Sequence, residues 1–381
     1  MFFATRRGIA TFTAVVLSLS FPAAAATTLD AANAQARELV QQTMKDQRIP
    51  GLQVAVVKDG RLVLSEQYGW ANVENQLAVT ETTRFPLNSA TKSFTGVAMM
   101  QLAQAGRVDL AAPISRYLQD LPPAWQGIRV RQLLAHTSGL PDLLDEQGLI
   151  GGGSEQAAWQ AVQRLPMEAP IGDKFMYNQT NYVLLARIIA KQSGMPYEQF
   201  IAERQFAKVG MPSAIFGDSY DLIPNAATMY SYFPRKTDAE GDTQRLSHWF
   251  YDMTPGLWAG GGIQTTASEV ANWLIALSND RLINAVHLRE MWTPEKLNSG
   301  ADGSWAAGWP VLAGLPHRQV AGMGGARAAF IVYPDDGVAV VVLTNLVGSN
   351  PQNFIPRIAA LYKSSPSPSP SSSPSPSRVA H

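Results

Sequence analysis

Ser89 and Lys92 stand three residues apart in Ser89-Ala90-Thr91-Lys92, the one Ser-x-x-Lys in a chain of 381 residues. A serine hydroxyl attacks a carbonyl effectively only when a neighbouring base takes its proton. A lysine can be that base where burial and nearby positive potential favour its neutral form, and a helix N-terminus supplies such potential. Phe85-Pro86-Leu87 precedes the pair and an apolar run of helical spacing follows it. The spacing therefore predicts Ser89 at a helix start, with Lys92 one turn further on the same face. The Ser89 N–H, at that same start, could donate to an oxyanion. On this local pattern a capping serine followed by a surface lysine is an equal reading.

Other residues compete for chemical roles. His136 lies next to Thr137-Ser138, but sequence neighbours rarely face each other productively. Gly217-Asp218-Ser219 matches the start of a Gly-Asp-Ser-Leu esterase motif, yet it follows no clear strand and reads as a loop. The five histidines, His136, His248, His287, His317 and His381, show no metal-ligand spacing, so neither a metal nor a cofactor is expected. Trp249, Trp258 and Trp273 read mainly as core. Trp258, between Gly256 and Gly260-Gly261-Gly262, is the one best placed to meet a ligand.

The elements that must position these residues come from both ends of the chain. Asp30 is placed to cap a helix running to about Met44. Gly51 to Val57 and Arg61 to Tyr68 read as a hairpin about Lys58-Asp59-Gly60. Ala328 to Tyr333 and Val338 to Leu343 repeat the device about Pro334-Asp335-Asp336-Gly337, and Ile355 to Lys363 closes as a helix. Between them, Lys92–Ala105, Tyr182–Gln192, Tyr197–Lys208 and Ser268–Ser278 carry helical periodicity. The reading is α+β. An antiparallel sheet from about 27–90 and 300–363 is flanked by helices, with a largely helical lobe, about 91–299, inserted. The cleft between them is the expected ligand site.

Composition narrows the setting. Thirty basic residues balance thirty acidic ones, which argues against nucleic acid as a partner. Residues 1–26 join Arg6-Arg7, an apolar stretch and Ala23-Ala24-Ala25-Ala26, the pattern of a signal peptide cleaved near Ala26–Thr27. The expected location is periplasmic or secreted, in a bacterium, without stable membrane insertion. There is no cysteine, hence no disulfide and no thiol nucleophile. Residues 364–381 form a Ser/Pro-rich tail expected to be extended and solvated.

Four strings appear in a recognisable order: Ser89-x-x-Lys92, Leu133-Leu134-Ala135-His136-Thr137-Ser138-Gly139-Leu140, Tyr177-Asn178-Gln179-Thr180-Asn181-Tyr182, and Gly322-Met323-Gly324-Gly325. Together they resemble the serine β-lactamase/DD-peptidase superfamily, in the branch of class C β-lactamases, DD-carboxypeptidases and family VIII esterases. The resemblance runs from about Leu29 to Lys363. It implies a β-lactamase/penicillin-binding-protein-like fold, Ser89 as nucleophile, Lys92 as its base and Tyr177 as proton shuttle. His136 then belongs to a structural turn. Gln179 takes the place of an Asn that binds the acyl carbonyl, one methylene longer. Met323-Gly324-Gly325 takes the place of a Lys-Thr-Gly, His-x-Gly or Trp-x-Gly motif, with a thioether where a polar or aromatic side chain helps hold substrate. Ala326 takes the position whose N–H completes the oxyanion hole with Ser89.

These implications favour acyl transfer to water from neutral esters or small amides, since Met323 offers no cation to a carboxylate. One alternative is a DD-carboxypeptidase or weak β-lactamase acting on peptidoglycan-type peptides or β-lactams, with Arg327 supplying the cation. Another is a non-catalytic penicillin or peptidoglycan sensor on the same fold.

Overall fold

The computed structural model describes residues 23–233, 244–312 and 318–363, with side chains from 28 onward. Most of residues 1–26, the stretch expected to be a signal peptide, and all of the Ser/Pro-rich segment 364–381 lie outside the described residues. Helix α1 spans Ala23–Gln47, so Asp30 sits inside the helix instead of capping it. The alanine run before it continues helix without a break, alanine being the best helix former.

Strands β1 (Gly51–Lys58) and β2 (Arg61–Asn72) form the first hairpin, with Asp59 and Gly60 at φ 49° and 72°. Positive φ at both turn residues is the geometry that matches strand twist. A short β3 (Leu77–Ala78) follows, and the C-terminal part contributes β4 (Val311–Leu312), β5 (Gln319–Gly324), β6 (Ala328–Tyr333) and β7 (Val338–Thr344). The seven form one antiparallel sheet in the order β4-β5-β6-β7-β1-β2-β3. β7 is central and buried along its whole length, which is why it is apolar from Val338 to Leu343 instead of alternating.

Side-chain alternation divides the strands between two cores. On the outer face, Val340, Ile331, Ala329 and Ala321 pack with Ala36 and Val40 of α1 and with Ile355 and Ile358 of the closing helix (Ile355–Ala360). On the inner face, Phe330, Val341 and Val57 join Phe94 of α2 (Thr91–Gln104), Leu184 of α3 (Thr180–Ser193) and Trp273 of α4 (Ala267–Ser278). The helix expected over Tyr197–Lys208 instead contains a π segment at Ala202–Phe206. Within that wider turn Gln205 is buried, donating to the Phe94 carbonyl and accepting from Trp273 Nε1, both at 2.9 Å. Among the described residues no helix is long and apolar enough to cross a membrane.

Candidate active site

Ser89 lies in a single 3-10 turn, Asn88–Ala90, that runs directly into α2. Asn88 takes a left-handed backbone, φ 48°, a conformation asparagine tolerates better than most residues. Lys92, in the first turn of α2, is fully buried. Its Nζ donates to the Gly260 carbonyl at 2.7 Å and to Gln179 Oε1 at 3.0 Å. Gly260 belongs to the short helix Trp258–Gly261, whose backbone packs against both α2 and Asn88–Ala90.

Tyr177 comes from the loop before α3, and its Oη donates to Ser89 Oγ at 2.8 Å. The same ring stands 4.8 Å above Lys92 Nζ. Ser89, Tyr177, Lys92 and Gln179 are thus brought together, with the direct bond to the hydroxyl made by the tyrosine.

A buried frame holds Tyr177 and Gln179. His136 is completely buried, at φ 57°, with its ring 4.4 Å from that of Tyr177 and 5.1 Å from that of Trp305. Its Nδ1 accepts from the Asn178 N–H at 3.3 Å and lies 3.1 Å from Asn181 Nδ2. Burial, helped by the charge of Lys92, holds its pKa well below the usual imidazole range. Ser138 Oγ is bonded to Asn181 Oδ1 at 2.6 Å, so neither His136 nor Ser138 is presented to the cleft as a nucleophile pair. Asp142 accepts from the Gln179 N–H at 3.0 Å. Burial raises the Asp142 pKa, and the Lys92 charge acts in the opposite direction.

Strand β5 forms the opposite wall. A Cβ at Gly324 would lie inside contact distance of the Leu87 carbonyl and 2.8 Å from the Ser89 nitrogen. Only glycine lets the strand come so close to the turn that holds Ser89. Ala321 N–H points away from β6 to the Pro310 carbonyl. Alternate residues of a strand direct their amides to the same side, so the Gly325 N–H continues toward the open edge of β5. The Ser89 N–H likewise has no backbone acceptor among the described residues.

Residues 36–362 match the family model "Beta-lactamase". The chain belongs to the Beta-lactamase family. Protein flp of Staphylococcus aureus strain MW2 is 28% identical over 244 residues, 62% of this chain and 47% of that protein. The putative penicillin-binding protein PbpX of Bacillus subtilis is 28% identical over 261 residues, 68% of this chain and 61% of that protein. The chain therefore spans about half to three-fifths of the length of these curated relatives. Among solved structures, an octameric penicillin-binding protein homologue from Pyrococcus abyssi aligns with TM-score 0.70 and 26% identity over 86% of this chain and 76% of that one. EstCE1, described as a hydrolase with promiscuous acyltransferase activity, aligns with TM-score 0.71 over 89% of this chain and 100% of that one, and at 18% identity it shows the fold alone.

Two sequence expectations change inside this fold. Met323 does not face Ser89. It shares the outer face with Ala321 and packs on that core, while Gly322 and Gly324 occupy the inner face. The third motif is thus Gly322-Met323-Gly324, one residue earlier than the glycine run suggested. Counted from that register, the residue that follows the motif is Gly325, not Ala326. Ala326, at φ 53°, accepts at its carbonyl from the Gly348 and Asn350 N–H groups.

The remaining candidates lie as follows. Trp258 is half-buried and stacks on Phe216 at 5.3 Å. Arg327 is only 2% exposed, with Nε donating to Asn88 Oδ1 at 3.0 Å. Ser219 follows a short strand, Ile215–Phe216, and its Oγ is tied to the Tyr251 backbone. Trp273 is core, and Trp249 is exposed. Among the described residues no group of three His, Cys, Asp or Glu side chains could hold a metal. Sequence reading missed Asn88, Asp142, Asn181, Gly260 and Trp305. Of these only Asn88 carried a usable signal, an asparagine at the sharp turn before the nucleophile.

Proposed function

We propose that the chain is an exported serine hydrolase that cleaves neutral carboxylic esters, or small amides, through an acyl-enzyme on Ser89, in the manner of a family VIII carboxylesterase. The observation that carries this reading is the 2.8 Å bond from Tyr177 Oη to Ser89 Oγ, made directly above the buried Lys92. Ser89 Oγ bonds to the acyl carbon while its proton passes to the Tyr177–Lys92 pair. The pair returns the proton to the alcohol or amine as the carbonyl–heteroatom bond breaks. Water then enters by the same route in reverse and releases the acid. The Ser89 and Gly325 amides stabilise the oxyanion in both halves.

The preference for neutral substrates is supported by the wall of β5. Its inner positions are Gly322 and Gly324, so the strand presents no cationic side chain to a substrate carboxylate. A carboxypeptidase or weak β-lactamase is the second reading, favoured by the absence of any carboxylate paired with Arg327 among the described residues.

Intact-mass measurement after fluorophosphonate treatment is expected to give one adduct on Ser89, absent in Ser89→Ala. An adduct on Ser138 or Ser219 overturns the assignment. The substrate class is read from kcat/KM on short p-nitrophenyl esters against nitrocefin and D-Ala-D-Ala peptides, with the esters expected to lead.

A further inference from the structure

Arg327 poses a physical problem that the hydrolase reading leaves unanswered. Burying a guanidinium is unfavourable unless it is paired, and no carboxylate among the described residues pairs with this one. Desolvation pushes its pKa down to about 10, which still leaves it charged at neutral pH. Its contacts are the Tyr251 ring, 4.8 Å from the guanidinium carbon, and Asn88 Oδ1.

The position of those contacts is informative. Asn88 is the residue before Ser89, and Arg327 is two residues after Gly325. The two oxyanion amides lie in separate elements, one in the turn into α2 and the other at the end of β5. A Cβ built on Gly325 would fall 3.1 Å from Asn88 Cγ and 3.2 Å from Arg327 Cζ, so the Arg327–Asn88 bond passes directly over the Gly325 backbone. The backbone of Arg327 is itself fixed. Its N–H donates to the Gly324 carbonyl at 3.1 Å, and its carbonyl accepts from the Thr344 N–H at 2.9 Å and Thr344 Oγ1 at 3.0 Å.

We propose that Arg327 is a positioning residue that clamps the two halves of the oxyanion hole together through Asn88, and that it places a fixed positive charge behind the amides where negative charge develops. A preorganised donor acts only if it is already aimed when the oxyanion forms. The clamp holds Asn88 in its left-handed conformation and so sets the direction of the next amide, that of Ser89. The inference rests on Ser89 as nucleophile.

The test measures fluorophosphonate acylation and steady-state turnover of a neutral short-chain ester by wild type, Arg327→Met, Asn88→Gly and the double variant. Asn88→Gly keeps a residue at ease with positive φ and removes only the acceptor, so it reports on the clamp even where Arg327→Met fails to fold. Removing an oxyanion donor outright lowers kcat by about 10²–10³-fold, so misaligning one is expected to lower kcat and the acylation rate on the order of 10- to 100-fold with KM little changed. The double variant is expected to be no worse than the weaker single one, because both remove one shared bond. Arg327→Lys, which keeps the charge without the planar fork, is expected to recover part of the rate.

Acylation at the wild-type rate in both Arg327→Met and Asn88→Gly overturns the clamp. So does a KM increase confined to carboxylate-bearing substrates with ester turnover intact, which makes Arg327 a substrate anchor. Failure of wild type to label at Ser89 is a different result and overturns the nucleophile assignment instead.

Discussion

At the scale of single residues, the proposed mechanism divides the handling of one proton between Tyr177 and Lys92. The tyrosine makes the contact with Ser89 Oγ, and the lysine lies behind it with two of its three donors committed to Gly260 and Gln179. Tyr177→Phe keeps the ring over Lys92 and beside His136 and removes only Oη. We expect kcat on a poorly activated alkyl ester to fall about 10²–10⁴-fold, the range for a general acid–base group, with thermal stability nearly unchanged. Lys92→Met is expected to lose comparable activity and stability as well. It leaves the buried Gly260 carbonyl without its donor, at about 1–3 kcal/mol for an unsatisfied buried group, and the half-buried Gln179 Oε1 without one of its own. Urea unfolding of the two variants separates these effects. A Tyr177→Phe enzyme with wild-type turnover removes the tyrosine from the proton path.

At the scale of elements, the decisive contact is between β5 and the turn into α2. Gly324→Ala would force a methyl group into the Leu87 carbonyl and the Ser89 nitrogen. Neither is a flexible side-chain end, so the strand itself has to move away. We expect acylation of Ser89 to slow at least as much as in the clamp variants, with circular dichroism showing the sheet retained. Wild-type labelling rates in Gly324→Ala contradict the close approach of β5. The sequence made this strand the hardest element to read. Hairpins about Asp59-Gly60 and Pro334–Gly337 announce themselves through turn residues, and α2, α3 and α4 through 3.6-residue periodicity. Strand faces are read from alternation of side chains, and Gly322, Gly324 and Gly325 have none to alternate. The face of Met323 and the register of the motif around it are therefore not legible in the sequence. The start of α1 was misplaced for a related reason, since a polar residue within a strong helix former's run resembles a cap without acting as one.

At the scale of the whole molecule, the helical insertion and the sheet share one inner core, and Trp273 joins them. Its ring stacks on Phe94 of α2 at 3.9 Å and on Trp309 at 5.8 Å, meets Phe330 of β6 edge-on at 6.2 Å, and donates from Nε1 to Gln205. Phe94 lies in the first turn of α2, which runs on from the turn that holds Ser89, so the ring that couples sheet to insertion also braces that turn. Truncating a fully buried tryptophan costs about 3–5 kcal/mol, a large part of the 5–15 kcal/mol that holds a typical domain together. Trp273→Ala is therefore expected to lower the urea midpoint strongly. Trp273→Phe, which keeps most of the ring contact but loses the bond to Gln205, should fall between it and wild type. Because the core is continuous, tryptophan fluorescence and the capacity of Ser89 to take a fluorophosphonate are expected to disappear in a single coincident transition in all three proteins. Two separated transitions, with labelling surviving the first, would mean that sheet and insertion unfold independently and that Trp273 does not couple them.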